Sequence, residues 1–429
     1  MEKTAKVKKR IRVLWLTNLC PRFIADRIGL PSTNKEGWVT GMAGCIMKDG
    51  EVTFGVAFPS DKELSGISDD VYYYGFVEDT THPEIYNAET QSSLEKICDD
   101  FQPDTIHIFG TEYPHTLSML KIERWKNRTL IHLQGLMEPY ANEYTVGLPQ
   151  NVIKRKTFRD ILRHDSIPEQ KEKYLKRAAM EKEVLCQAVN VCGRTEFDRS
   201  YALKINKELN YYELNETLRN SFYEGSWDIK ETEPHSIFVS QGNYPLKGVH
   251  FLLRALPAVK EKYPDVRVYI SGDNVTKHET LKEKIKLSSY GKYLLSLLRE
   301  NKLSDNVFFL GQKNEAEMKE LYLKCQLFVI PSVLENSPNS LGEAMILGVP
   351  CIAARVGGIP SMALEDEVSF YELTDVSELS RKIIELFEDE KKLHELRLRG
   401  QLRGQSNHNR EKNYKTMKDI YLSIGTDKQ

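Results

Sequence analysis

The feature that most constrains the fold is an alternation of short apolar runs with longer amphipathic segments in both halves of the 429-residue chain. Parallel strands need helical crossovers, so this alternation predicts parallel, doubly wound α/β sheets. In the first half the strand candidates are 11–17, 51–58, 71–75, 104–109 and 129–133, with helix candidates at 37–48, 91–101, 115–126 and 172–188. In the second half the strand candidates are 236–241, 266–271, 306–310, 326–330 and 350–354, with helix candidates at 248–262, 279–299, 314–323 and 339–347.

These strands are too many for one sheet of ordinary size, so we expect two Rossmann-like domains. We assign residues 1–215 to the first domain and 216–406 to the second, joined by the polar, aperiodic stretch 213–235. Residues 376–424 have the pattern of successive charged helices, and the last of them, 407–424, is a candidate to pack back on the first domain.

Composition excludes several classes of protein. Lys and Arg number 60 against 62 Asp and Glu, and this near-neutral balance argues against a dedicated nucleic-acid binder. No apolar run approaches the roughly 18 residues of a membrane span, and the basic N-terminus leads into a strand rather than a signal-peptide core. The 7 cysteines contain no CxxC pair and lie mostly in apolar runs, which predicts reduced thiols in a cytoplasmic protein.

The most informative segment is 331–345, PSVLENSPNSLGEAM, which follows a strand candidate and begins a helix. Ser337 is the predicted N-cap, with Pro338 at the first helical position. The backbone N–H groups that follow would point beyond the strand ends and form an anion site. The residues that supply them are Asn339, Ser340 and Leu341.

Two glutamates flank this helix start. Glu335 and the adjacent Asn336 lie just before it, and Glu343 lies inside it on the same face as Asn339. A carboxylate can accept two hydrogen bonds from a vicinal diol, so this arrangement suits a nucleotide-sugar, with phosphate on the amides and hydroxyls on the carboxylates. The competing interpretation is a simple helix cap with two solvated glutamates.

A second loop, 240–248 (SQGNYPLKG), joins a strand candidate to an amphipathic helix. Gln241 and Gly242 would approach a phosphate, and Lys247 would supply a point charge to neutralise a leaving diphosphate. This loop and Glu335 are both expected at the strand-end edge of the second domain, where ligands of parallel sheets bind. In the first half, Gly37 either lets the backbone approach the ligand or simply begins a helix.

These features resemble glycosyltransferase family 4, whose members have the GT-B architecture of two Rossmann-like doubly wound domains facing across a cleft. Glu335 and Glu343 match its E-x7-E motif, continued here as GEAMILGVPCIAARVGGIP. The resemblance implies that Glu335 contacts the donor sugar, Glu343 the ribose and Lys247 the phosphates, and that Gly37 belongs to the glycine-rich loop beside them. The variant ENSPNSLGEAM is similar to that of bacterial members acting on surface polysaccharides.

The sequence departs from that family at two positions. Gln241 stands where an arginine is usual, and a neutral amide cannot supply its charge. The strand end reads Leu133-Gln134-Gly135 instead of carrying a His-Gly pair, so either Gln134 or His132 inherits the contact near the anomeric carbon. Glu112 and Glu138 are further acceptor-site candidates because strand-end loops carry binding residues.

The resemblance implies a retaining hexosyltransferase that uses a UDP- or GDP-type sugar and needs no essential metal. The expected acceptor is a glycan or lipid-linked glycan, with closure about 213–235 excluding water. Segment 154–163 (KRKTFRDILR) is a candidate for peripheral contact with the inner face of the cytoplasmic membrane, although an apolar stripe facing the core is the favoured interpretation. Competing hypotheses are an inactive nucleotide-sugar-binding protein and an NAD-dependent oxidoreductase, which lacks the expected G-x-G-x-x-G after the first strand.

Overall fold

The computed structural model describes residues 10–31 and 37–426 of the chain. Its internal contacts divide these residues into two compact units. The first unit takes in the residues up to Leu136, Arg177–Leu218 and the residues from Asn409 onward. The second unit takes in Met137–Lys176 and Arg219–His408.

The first unit is built on an eight-stranded sheet of order β3-β4-β2-β1-β5-β6-β7-β8, parallel except for the antiparallel edge strand β3. Its strands are β1 (Ile11–Leu16), β2 (Val52–Ser60), β3 (Leu64–Ser68), β4 (Val71–Val77), β5 (Thr105–Phe109), β6 (Thr129–His132), β7 (Asn190–Gly193) and β8 (Asn210–Glu213). Strand β5 is buried throughout, as expected for a parallel strand covered on both faces.

The second unit contains a six-stranded parallel sheet of order β11-β10-β9-β12-β13-β14. Its strands are β9 (Glu233–Val239), β10 (Arg267–Ile270), β11 (Val307–Phe309), β12 (Cys325–Ile330), β13 (Cys351–Ala354) and β14 (Ser369–Tyr371). All six residues of β12 are buried beside β9, so the loops that follow these two strands leave the centre of the same sheet edge.

Helices connect the strands in both units. Those of the first half are α1 (Arg22–Ile28), α2 (Gly37–Ile46), α3 (Glu89–Phe101), α4 (Pro114–Leu120), α5 (Glu123–Lys126), α6 (Met137–Glu143), α7 (Gln150–Ile153), α8 (Phe158–Arg163), α9 (Ile167–Gln187) and α10 (Glu196–Ile205). Those of the second half are α11 (Val249–Lys262), α12 (Leu281–Ile285), α13 (Ser289–Glu300), α14 (Glu315–Lys324), α15 (Asn339–Leu347), α16 (Ile359–Met362), α17 (Val376–Glu388), α18 (Glu390–Asn407) and α19 (Arg410–Thr426). Within the described ranges, no helix has both the length and the apolar composition of a membrane span.

The C-terminal helix α19 lies in the first unit. Its buried residues Met417, Ile420, Tyr421 and Ile424 join the core that contains Trp15 of β1. The hydroxyl of Tyr421 accepts a hydrogen bond from the indole N–H of Trp15 at 2.9 Å, which satisfies a buried donor.

Residues 137–176 group differently from the sequence-based division, which placed them in the first domain. Tyr144, Leu148, Val152 and Ile167 belong to the same hydrophobic core as the second sheet. Asp160 also accepts a hydrogen bond from the backbone N–H of Ser289 at 3.0 Å. This segment therefore packs as part of the second unit.

The stretch 213–235 was expected to be a linker, but much of it is ordered core. It contains two 3₁₀ turns, Asn220–Tyr223 and Ile229–Glu231, before β9 begins. Phe222 and Trp227 are buried, and the indole of Trp227 donates to the carbonyl of Cys325 at 2.9 Å. Its aromatic residues lack helical or strand periodicity because they fill the core from irregular backbone.

Candidate functional site

The loops after β9 and β12 meet at the centre of the second sheet. The N–H of Val333 donates to the carbonyl of Leu246 at 2.8 Å. Gly248 has a φ of 64°, and a Cβ there would overlap the carbonyl oxygen of Pro331. Only glycine allows this backbone conformation and this approach together, so Gly248 lets the turn that carries Lys247 pack against the loop that carries Glu335.

Lys247 and Glu335, predicted from separate motifs, form an ion pair. The Lys247 Nζ lies 2.7 Å from Oε1 of Glu335, and the hydroxyl of Ser332 donates to the same oxygen at 2.7 Å. Burial opposes the charge of the lysine, but the Glu335 carboxylate and the Tyr244 hydroxyl outweigh it and raise the pKa of Lys247. The side chain therefore stays cationic at physiological pH, as a phosphate-binding group must.

Glu343 is buried and is held by an arginine that the sequence analysis did not identify. Nε and Nη2 of Arg219 donate to its Oε1 at 2.9 and 2.6 Å, and Tyr322 donates to its Oε2 at 3.4 Å. Burial raises the pKa of Glu343, and Arg219 opposes that rise. The short bonds to Oε1 fix the carboxylate, while Oε2 is held by one long bond and keeps acceptor capacity for a ligand hydroxyl.

The start of α15 differs from the prediction by one residue. Pro338 is the N-cap and α15 begins at Asn339, whereas the Ser337 hydroxyl contacts the sulfur of Met362 at 3.6 Å instead of capping the helix. The N–H of Leu341 donates to the Pro338 carbonyl at 3.0 Å, so it is already used. Leu341 therefore does not contribute its amide to the predicted anion site.

The glycine pair of the segment ARVGGIP supports Glu335 from behind. The N–H of Gly358 donates to the Glu335 carbonyl at 3.0 Å, and a Cβ at Gly357 would overlap that same oxygen. The sequence analysis used these glycines only for the resemblance. In the structure they hold the backbone of Glu335, and its neighbour Asn336 is also buried.

The remaining donor-site candidates, Gly242, Gln241 and Gly37, do not contact Lys247 or Glu335 through any hydrogen bond or ion pair found among the described residues. A Cβ at Gly242 would collide with side chains of Val249 and Ile270, so this glycine serves helix–strand packing. Gln241 is half-buried beside Gly272 and brings no charge. Gly37 is the first residue of α2, and the preceding 32–36 lie outside the described residues.

In the first unit, Gln134 takes part in a buried charged network. Its amide donates to Oε1 of Glu216 at 2.7 Å, and Arg194 pairs with Oε2 of Glu216, also at 2.7 Å. Arg194 therefore binds the buried carboxylate that orients Gln134.

His132, the other candidate beside Gln134, lies in the core. It is fully buried, stacks on His107 at 5.4 Å between ring centroids, and has a pKa lowered well below its ordinary value by burial. Gln134 is half-buried. Of the two side chains, Gln134 is therefore the one with an exposed fraction through which it can meet a ligand.

The two acceptor-site glutamates belong to different units. In the first unit, Oε2 of Glu112 is buried and has no hydrogen-bond partner among the described residues, and burial raises the pKa of this carboxyl group. Glu138 is exposed in the first turn of α6, which belongs to the second unit.

One group of side chains has the chemistry of a metal site. His107, His132 and Cys192 are buried on neighbouring strands, and their ligand atoms lie within 4.8 Å of one another. Nδ1 of His107 lies 2.6 Å from the Tyr421 hydroxyl, and burial lowers the pKa of His107 to about 3. Neutral imidazoles and a cysteine are ligands that zinc accepts.

Comparison with known proteins agrees with this architecture. Residues 220–403 match the family model described as "Glycosyl transferases group 1". The chain is similar to D-inositol 3-phosphate glycosyltransferase of Mycolicibacterium smegmatis, with 33% identity over 129 residues, which are 29% of this chain and 26% of that protein. The match therefore spans about a quarter of that relative's length.

Solved structures resemble nearly the whole chain. Sucrose-phosphate synthase from Thermosynechococcus elongatus has a TM-score of 0.68 at 15% identity, covering 97% of this chain and 99% of that one. Anabaena HepE in complex with UDP-glucose has a TM-score of 0.67 at 14% identity, covering 96% of this chain and 100% of that one. The fold is that of GT-B glycosyltransferases, and residues 220–403, less than half of the chain, are similar to the group 1 glycosyltransferases.

Proposed function

We propose that the protein is a retaining glycosyltransferase that moves a hexosyl group from a nucleoside-diphosphate sugar to a glycan or lipid-linked glycan of the bacterial cell surface. The observation that carries the proposal is the meeting of Lys247, Glu335 and the start of α15 at one sheet edge. A similar protein is named as a glycosyltransferase, and a structure of the same fold holds UDP-glucose. We propose a donor of the UDP or GDP type.

The donor seat follows from the charges at this edge. In the structure, the ammonium group of Lys247 forms an ion pair with the carboxylate of Glu335. We propose that a diphosphate takes over Lys247 and the amides of Asn339 and Ser340, which frees the Glu335 carboxylate for the sugar hydroxyls. Glu343 then receives the ribose hydroxyls through Oε2, while Arg219 holds Oε1.

The proposed reaction exchanges one bond at the anomeric carbon. The bond from this carbon to the diphosphate oxygen breaks, and a bond to an acceptor hydroxyl oxygen forms on the same face. The acceptor proton passes to the departing diphosphate oxygen, so no enzymic nucleophile is required. Lys247 neutralises the charge that develops on the leaving group, and we propose that no resident metal is needed.

For the acceptor we propose a role for Gln134 rather than His132. Arg194 and Glu216 fix the amide of Gln134, whereas His132 is enclosed in the core. A preorganised amide suits the hydrogen bonding of a reacting sugar better than a buried ring does. Glu112 and Glu138 remain candidates for more distant acceptor hydroxyls.

A second candidate function is that of an inactive nucleotide-sugar-binding protein. Gln241 supplies no charge to a diphosphate, and Lys247 is paired with Glu335. Both observations favour weak stabilisation of a leaving group. This protein would bind the donor without transferring or hydrolysing the sugar.

The test is a calorimetric binding screen of UDP, GDP, ADP and their sugars, followed by product analysis with the sugar that binds. We expect a UDP- or GDP-sugar to bind and to be turned over with retention at the anomeric carbon. Binding without turnover would support the inactive alternative. Failure of every nucleotide to bind would refute both functions, and tight binding of NAD would favour the oxidoreductase.

A further inference from the structure

Exposed hydrophobic side chains concentrate on two short helices of the second unit. Fourteen large hydrophobic residues are exposed within the described part of the chain, and five of these lie on α8 or α12, which together span eleven residues. The five are between 54% and 78% exposed, and they are Phe158, Ile161, Leu162, Leu281 and Ile285. Scattered surface leucines need no explanation, but a concentration of this kind marks an interaction site.

Helix α8 is oriented opposite to the interpretation favoured from its sequence. Phe158, Ile161 and Leu162 lie on one face at helical spacing, and that face is exposed rather than packed against the core. The opposite face carries Asp160, which forms a capping box with Thr157 and accepts the N–H of Ser289 at 3.0 Å. Because this buried polar anchor sets the inward face, the apolar stripe is directed outward.

Helix α8 and the residues that follow α12 border the same cavity. Its volume is about 400 Å³, and its lining includes Arg159 and Arg163 of α8 together with Lys286 and Ser288, which follow α12. Asn243 of the Lys247 loop also lines it. Arg159 is paired with Asp165 at 2.9 Å, which leaves Arg163 and Lys286 as the cavity's cations without a carboxylate within 4.0 Å among the described residues.

The charge around the exposed stripe is strongly basic. Segments 154–163 and 281–286 contain eight Lys and Arg residues against two acidic ones, in a chain whose formal net charge is −2. Both acidic residues, Asp160 and Glu283, are engaged in capping boxes. This surface therefore presents apolar side chains flanked by positive charge.

We propose that α8 and α12 form a docking surface for an anionic lipid bilayer. The stripe enters the boundary between headgroups and acyl chains, the surrounding lysines and arginines contact the anionic headgroups, and Arg163 and Lys286 seat a lipid phosphate in the cavity. An anionic bilayer matches both features of this surface, because its acyl chains can contact the apolar side chains while its headgroups contact the lysines and arginines. The exposed stripe shares no residue with the proposed donor site, so the two proposals can fail separately, even though Asn243 of the Lys247 loop lines the cavity.

The test is co-sedimentation of the full chain, without nucleotide, with vesicles of phosphatidylcholine alone or mixed in equal parts with phosphatidylglycerol. We expect binding to the mixed vesicles and little binding to the neutral ones. Changing Phe158→Ser with Leu162→Ser should weaken that binding by at least about tenfold. The matched control is Leu398→Ser with Leu402→Ser on α18, two further exposed leucines of the same unit, and it should bind like the parent.

Two more measurements test whether positive charge contributes to vesicle binding and whether the exposed stripe instead joins two copies of the chain. Arg163→Ala with Lys286→Ala should also lower binding, and added salt should weaken the parent, because headgroup attraction is screened. The proposal is overturned if the parent protein does not bind the mixed vesicles, or if the Phe158→Ser, Leu162→Ser variant binds them as well as the parent does. It is also overturned if sedimentation velocity without lipid shows a dimer that this variant dissociates, since the stripe would then join two copies of the chain.

Discussion

Arg219→Ala tests whether the arginine holds the buried carboxylate of Glu343 in place. The substitution removes two hydrogen bonds to Glu343 Oε1, at 2.9 and 2.6 Å, together with the stacking of the guanidinium over Phe222. Among the described residues, the long contact from Tyr322 to Oε2, at 3.4 Å, would remain as a side-chain hydrogen bond to this carboxylate. A buried charge would lose its neutralising partner.

Removing one partner of a buried ion pair destabilises a protein by about 3–5 kcal/mol. Arg219 is itself partly exposed, so we expect the lower end, a loss of about 3 kcal/mol in the free energy of unfolding. Burial already raises the pKa of Glu343, and without Arg219 that pKa rises further. A carboxyl group with a raised folded-state pKa favours folding at low pH, and the penalty grows as pH rises above the ordinary Glu pKa of about 4.3.

The assay is urea denaturation of the parent and Arg219→Ala at acidic and neutral pH. The deficit should be larger at neutral pH, and Glu343→Gln in the same background should recover most of it by removing the orphaned charge. Arg381→Ala is the control, because Arg381 forms an exposed pair with Glu378 at 3.4 Å and should cost less than about 1 kcal/mol. A pH-independent deficit, or no recovery with Glu343→Gln, would refute the reasoning.

Three further predictions concern the site and the core. Lys247→Ala and Glu343→Ala should each lower sugar transfer at least tenfold, about 1.4 kcal/mol of barrier, and near-parental turnover would count against the donor seat. Gly248→Ala should lower the free energy of unfolding by about 2 kcal/mol or more. The control Gly29→Ala is also at positive φ but has open space around it, so it should lower the free energy of unfolding by about 1 kcal/mol. Equal losses in urea denaturation would contradict the overlap with Pro331. EDTA should leave transfer unchanged, and activity lost to EDTA and restored by zinc would instead assign a working metal, with the cluster containing Cys192 as its candidate.

Much of the fold could be predicted because buried parallel strands are short apolar runs that can be recognised in the local sequence. Apolar runs bounded by turns located β1, β5, β9 and β12 to within a few residues, and the helix candidate 339–347 coincides with α15, although the N-cap is Pro338 rather than the predicted Ser337. The short edge strands β3, β8 and β14 were missed, since they are brief and lie at the edges of their sheets. Candidate 279–299 is two helices, α12 and α13, because Ser288 caps a new helix.

The site could be predicted only in part. Lys247 and Glu335 lie in two loops that follow strands of the same parallel sheet, and such loops lie at the same sheet edge. Their proximity could therefore be predicted from the sequence. Arg219 was not, because it lies 124 residues before Glu343 in a stretch without periodicity. The orientation of α8 was predicted wrongly because spacing reports an apolar face but not the buried Asp160 that turns this face outward.

The central claim is that one edge of the second sheet seats a nucleoside-diphosphate sugar. A crystal structure with bound UDP-glucose or GDP-mannose tests it most directly. We expect the ion pair between Lys247 and Glu335 to break and Lys247 to contact the diphosphate. We also expect the amides of Asn339 and Ser340 to contact the phosphates and Glu343 to contact the ribose. Ligand bound elsewhere, with the 2.7 Å pair between Lys247 and Glu335 intact, would contradict it.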